Sequence, residues 1–108
     1  MNIYTIYADL KEHTNPKDFV TSMTKFLKNI PQIQKFRITR MKLGFRSSNL
    51  GEFRIDMEFN SMQDLDDAME KVLWNQDTID NHCSFDKFVD ADSLDHFLYR
   101  DYPDEQSK

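Results

Sequence analysis

Seven side chains in this sequence carry chemistry suited to a small polar ligand: Tyr7, Arg37, Thr39, Arg54, Asp56, Glu58 and His82. A phenol such as Tyr7 can orient or protonate a substrate, and an imidazole can exchange protons near neutral pH. A guanidinium flanked by carboxylates can hold a polar group in a partly dry place. Three of the seven fall in Glu52-Phe53-Arg54-Ile55-Asp56-Met57-Glu58-Phe59, where charged and apolar residues alternate without exception. Successive side chains of a β-strand point to opposite faces of a sheet. The segment therefore buries Phe53, Ile55, Met57 and Phe59 and presents Glu52, Arg54, Asp56 and Glu58.

The other charged member of this group is Arg37, in a second alternating segment, Lys35 to Phe45. A tight hairpin at Ser47-Ser48 would set Arg37 opposite Glu58, and a register two residues away would set it beside Asp56. Ordinary cross-strand ion pairs on a wetted sheet contribute only about 0.2–1 kcal/mol each. His82 and Cys83 are adjacent, but strand neighbours point apart, so they make no thiol–imidazole dyad. Cys83 reads as a small buried hydrophobe. His13, His82 and His96 share no metal-ligand spacing, and one cysteine adds nothing, so no metal site is expected. No cofactor is expected either. Gly44 and Gly51 alone make no phosphate loop, and haem ligation through a single His is the one route left open.

The elements that position these groups follow from periodicity. Asn2 to Leu10 reads as a strand with Tyr4, Ile6 and Ala8 on one side and Ile3, Thr5 and Tyr7 on the other. Asn15-Pro16-Lys17-Asp18 starts a helix, with a capping Asn, Pro at the first position and an acid in the first turn. Phe19, Met23, Phe26, Leu27 and Ile30 form its apolar stripe, and Pro31 ends it. Ser61 with Asp64 resembles a capping box for a second helix carrying Leu65, Ala68, Met69, Val72 and Leu73. His82 to Val89 is expected to be the fourth strand. Asp92 is expected to cap a short helical turn carrying Leu94, Phe97 and Leu98.

The order is β-α-β-β-α-β, an α+β chain. Right-handed crossovers would lay both helices on one face of a four-stranded antiparallel sheet, the ferredoxin-like arrangement. Residues 1–103 form one domain and 104–108 a polar tail. The uncovered face would carry Ile3, Tyr7, Met41 and Leu43 among its charged groups. Monomers rarely expose so large an apolar patch. A homodimer with the sheets packed face to face is expected, with a small-molecule pocket between them lined by the polar groups named above.

Three segments also resemble known proteins: Asn2 to Leu10, Phe36 to Phe45 with Leu50-Gly51-Glu52-Phe53, and Leu98-Tyr99-Arg100-Asp101-Tyr102-Pro103. The pattern resembles the dimeric α/β-barrel superfamily of small ferredoxin-like proteins. More closely, the segments are similar to a small, mainly bacterial family of unknown function. The resemblance implies a homodimer closed into an α/β barrel and carries over no catalytic residue. The wider superfamily includes cofactor-independent monooxygenases, lactone isomerases, haem-binding and haem-degrading enzymes, and stress-responsive proteins without assigned activity, so fold analogy alone chooses no reaction.

Composition narrows the partners. A net charge of −5 over 108 residues gives no basic footprint for nucleic acid or anionic membrane. The aromatics Phe53 and Phe59 point to the core, where they cannot stack bases. No apolar run approaches the ~18–20 residues that span a bilayer, and Met1-Asn2-Ile3-Tyr4 lacks the features of a signal peptide. With a single cysteine, a cytoplasmic location is expected. Two functions fit: a homodimer binding a small organic molecule, as a binding protein or cofactor-independent enzyme, or a self-association module with no ligand.

Overall fold

In a computed structural model of the chain, which describes residues 1–42, 50–74 and 86–102, six elements follow one another. They are β1 (Asn2–Ala8), α1 (Pro16–Lys28), β2 (Lys35–Arg40), β3 (Phe53–Phe59), α2 (Met62–Trp74) and β4 (Asp95–Arg100). The strands form one antiparallel sheet in the order β2-β3-β1-β4, the ferredoxin-like order.

Helix α1 starts where the sequence places it. The Asn15 side chain accepts from the Lys17 backbone N–H at 2.9 Å, and Pro16 takes the first helical position. The Ser61 hydroxyl likewise accepts from Asp64 N at 3.1 Å ahead of α2. The apolar stripe of α1 (Phe19, Met23, Phe26, Leu27) meets Phe53, Ile55, Met57 and Phe59 of β3, all buried, and Leu65 and Ala68 of α2 complete the core. Burying a side chain of this size contributes roughly 1.5–3 kcal/mol. That is enough for one sheet face and two helices to fold as a unit.

The fourth strand is not where periodicity set it. Val89 makes only an isolated bridge to Leu10, a single 3-10 turn follows at Ala91–Ser93, and β4 begins at Asp95. The helical turn expected from Asp92 is therefore a strand over Asp95–Arg100. Leu94, Phe97 and Leu98 fit a helical stripe, but a helix that short gains little on its own. Extended, the segment pairs along β1 from Tyr7↔Asp95 to Asn2↔Arg100, and its aromatics suit a strand. The cap also moves back by two residues, since it is the Asp90 carboxylate that accepts from Asp92 N at 3.1 Å.

The β2–β3 register is the second of the two alternatives. Arg37 lies opposite Asp56, Thr39 opposite Arg54, and Lys35 opposite Glu58. Arg37 and Glu58 are thus not cross-strand partners. A two-residue slip keeps every side chain on its own face, so apolar patterning cannot choose between these registers. The expected turn at Ser47-Ser48, Leu43, His82, Cys83, Pro103 and the tail 104–108 lie outside the described residues.

Candidate functional site

The sheet face away from the helices gathers six of the seven expected residues. Ile3, Thr5 and Tyr7 of β1 pair with Glu58, Asp56 and Arg54 of β3, and Arg37 and Thr39 of β2 flank them. On the other side β4 adds Phe97 opposite Thr5 and Tyr99 opposite Ile3.

At the centre of this face is a connected set of polar groups. The Thr5 hydroxyl donates to Asp56 Oδ1 at 2.6 Å, and Thr5 is fully buried. Arg54 Nε donates to the same carboxylate, 3.1 Å from Oδ1 and 3.0 Å from Oδ2. The Arg54 guanidinium carbon lies 5.7 Å from the centre of the Tyr7 ring, within cation–π range. That ring and Phe97 are T-shaped with centres 5.9 Å apart, and Phe97 lies 6.3 Å from Tyr99. Burial works against the Arg54 charge, but the hydrogen bond and charge of Asp56 outweigh it, with Tyr7 and Tyr99 adding to the effect. The guanidinium is held above its ordinary value. Its charge is already balanced within the chain. Met41, Phe97 and Tyr99 stand exposed around this network, so the face is a rim of apolar groups about a satisfied polar centre.

The opposite face holds a cavity of about 140 Å³ between the sheet and both helices. Met23 and Leu27 of α1, Ala68 and Val72 of α2, and Ile6 and Met57 of the sheet contribute to an apolar lining interrupted by Tyr4 and His96. These two meet across neighbouring strands, with the Tyr4 hydroxyl 2.7 Å from His96 Nδ1 and the rings stacked at 5.8 Å. Burial pushes the Tyr4 phenol up from its ordinary value. His96 is exposed to water. The pair is therefore a hydrogen-bonded phenol–imidazole couple with one member bordering an apolar interior and the other reaching solvent. A wider depression of about 430 Å³ beside Pro16, Lys17 and Phe53 is open to solvent. The Arg40 side chain beside it is already engaged with Glu52 at 2.8 Å and with the Phe53 ring at 5.4 Å.

Sequence reasoning passed over both members of this couple. Tyr4 was expected on the helix side and is there, but as a core residue only. His96 was expected on a terminal helix. His96, Leu98 and Arg100 against Asp95, Phe97 and Tyr99 mix polar and apolar types on both sides, so pairing along β1 rather than alternation places His96 on a strand. Among the described residues no group of three or more His, Cys, Asp or Glu side chains is arranged to hold a metal ion. No described helix is long and apolar enough to cross a membrane.

Solved structures share this architecture at low identity. The Arabidopsis thaliana protein At3g17210 is 9% identical with a TM-score of 0.75, covering 94% of this chain and 95% of its own. A dimeric ferredoxin-like protein of unknown function from Jannaschia sp. CCS1 is 8% identical with a TM-score of 0.68, covering 93% and 98%. A dabb family protein with a ferredoxin-like fold from Mesorhizobium loti is 18% identical with a TM-score of 0.68, covering 93% and 95%. At these identities the likeness concerns the fold alone. No protein of curated function matches the chain. The match that spans residues 1–108 is to a family of unknown function (DUF6614), and the chain belongs to that family.

Proposed function

We propose that the protein is a homodimer that packs its open sheet face against a second copy and binds a small organic molecule in the cavity between sheet and helices. The observation that carries the ligand is the cavity itself, about 140 Å³ with an apolar lining and the Tyr4–His96 couple at its border. Binding sites are typically apolar concavities with a few placed polar groups. Tyr7, Arg37, Thr39, Arg54, Asp56 and Glu58 serve the dimer face in this reading, because Arg54, Asp56 and Tyr7 already satisfy one another. Support for the dimer comes from the exposed Met41, Phe97 and Tyr99 on that face, and the Jannaschia protein of the same fold is described as dimeric.

The two halves of the proposal are tested separately. Light scattering at ~100 µM, far above a micromolar dissociation constant, is expected to give twice the chain mass, and a monomer there removes the dimer. For the ligand, Ala68→Leu puts three more carbons into the cavity from a position that is buried in α2. Toluene is expected to bind the wild-type protein, followed by NMR shifts of the lining methyl groups, and to bind this variant weakly or not at all. Equal binding to both, or to neither, removes the cavity as the site.

A further inference from the structure

Resting on that cavity reading, we infer the class of molecule it takes: a neutral compound with one oxygen, carried on a ring or chain of about six to eight carbons. The size follows from the volume. A dry apolar cavity of ~150 Å³ accepts benzene, and this one, partly open to solvent, measures about 140 Å³. Neutrality follows from the lining, since none of the described lining residues is an acid, a lysine or an arginine. A charged group carried into such a lining would be desolvated without a partner, which is costly.

The single oxygen follows from the Tyr4–His96 couple. Their 2.7 Å hydrogen bond uses one site on the phenol oxygen and leaves the other to the ligand. When the imidazole Nδ1 carries the proton it donates to Tyr4, and the Tyr4 O–H is free to donate to a carbonyl. When Nδ1 is bare, Tyr4 donates to it and its oxygen accepts from a ligand hydroxyl. The bond is compatible with either tautomer of His96, so the couple can take either role. A ketone, an alcohol or a phenol of the right size satisfies it. A hydrocarbon leaves it unused, and a carboxylate brings a charge the lining does not balance.

The experiment compares four probes, toluene, cyclohexanone, phenol and benzoate, on the wild-type protein and on Tyr4→Phe. The substitution removes only the hydroxyl and keeps the ring that packs the cavity wall. Cyclohexanone and phenol are expected to bind the wild-type protein and to bind Tyr4→Phe about tenfold more weakly, because the ligand oxygen loses its partner. Toluene is expected to bind both proteins alike, which also shows that the variant is folded with its cavity intact. Benzoate is expected to bind neither. If cyclohexanone and phenol bind both proteins equally, or benzoate binds the wild type more tightly than phenol, the inferred class is overturned while the cavity stands. If toluene binds neither protein, the cavity reading fails and this inference goes with it.

Discussion

Thr5→Val isolates the polar centre of the open face. Thr5 is fully buried, although it lies on the face away from the helices. Valine has nearly the same shape and suits a strand at least as well, so the change opens no cavity. What is lost is one O–H donor 2.6 Å from a carboxylate oxygen. Hydrogen bonds to charged groups contribute about 1.5–3 kcal/mol. Asp56 keeps Arg54 at 3.0 Å, and its side chain is 21% exposed, so water takes up part of the loss. The expected cost therefore sits at the lower end, about 1.5 kcal/mol. With a urea slope near 2 kcal/mol per molar the midpoint should fall by about 0.7 M. Protein concentration is held fixed, so that the proposed dimerisation contributes equally to every variant. Asp56→Ala and the double variant complete the cycle, and a coupling of about 1 kcal/mol or more is expected between positions that share a hydrogen bond. A Thr5→Val midpoint indistinguishable from wild type, with coupling under ~0.3 kcal/mol, would refute the idea that this face has a dry polar centre.

Three further perturbations address other parts of the fold. Gly51→Ala would place a Cβ 2.4 Å from the Ala8 carbonyl carbon and 2.6 Å from its nitrogen, against backbone that cannot swing aside. A loss of about 2 kcal/mol or more is expected in urea unfolding, and an unchanged midpoint would show that the approach to β3 relaxes freely. The Tyr4 phenol should ionise above the ordinary tyrosine value in an ultraviolet titration, since burial raises it. The fold favours its neutral form, so this stabilisation is full below about pH 10 and is lost as pH rises through the raised value. A raised titration step should vanish in Tyr4→Phe, and its survival there would assign it to another phenol. Deletion from Leu94 onward removes β4 and should both lower the melting temperature and weaken dimerisation. Deletion from Asp104 onward should change neither, and equal effects of the two truncations would deny β4 its role beside β1.

Much of the architecture was legible because period-two alternation is a strong signal where one face is buried. Residues 53–59 alternate so regularly that both faces of β3 could be named, and the same logic divided β1 into Ile3, Thr5 and Tyr7 against Tyr4, Ile6 and Ala8. Helix starts at Asn15 and Ser61 were legible because capping is local chemistry. The β2–β3 register was not, since slips of two leave the buried set unchanged. Strand β4 was missed for a related reason. In a short segment, Leu94, Phe97 and Leu98 satisfy a helical spacing as well as Phe97 and Tyr99 satisfy a strand, and pairing along β1 decides between them.

The Tyr4–His96 couple could be reached only after that decision. Its members are 92 residues apart, and neither carries a spacing signal. With Asp95–Arg100 read as helix, His96 had no defined face. With it extended and antiparallel to β1, the register brings His96 opposite Ile6 and Leu98 opposite Tyr4. Both β4 residues then lie on the helix side, and His96 is within reach of the Tyr4 hydroxyl one step along the pleat. Alternation gives β1 two roles at once. Thr5 and Tyr7 belong to the open face, while Tyr4 and Ile6, one residue to either side of Thr5, line the cavity. A shift of β1 by a single residue would exchange the two sets, taking Thr5 from Asp56 and Tyr4 from His96 together. The fixed register of β1 between β3 and β4 is therefore what makes the open face and the cavity mutually consistent.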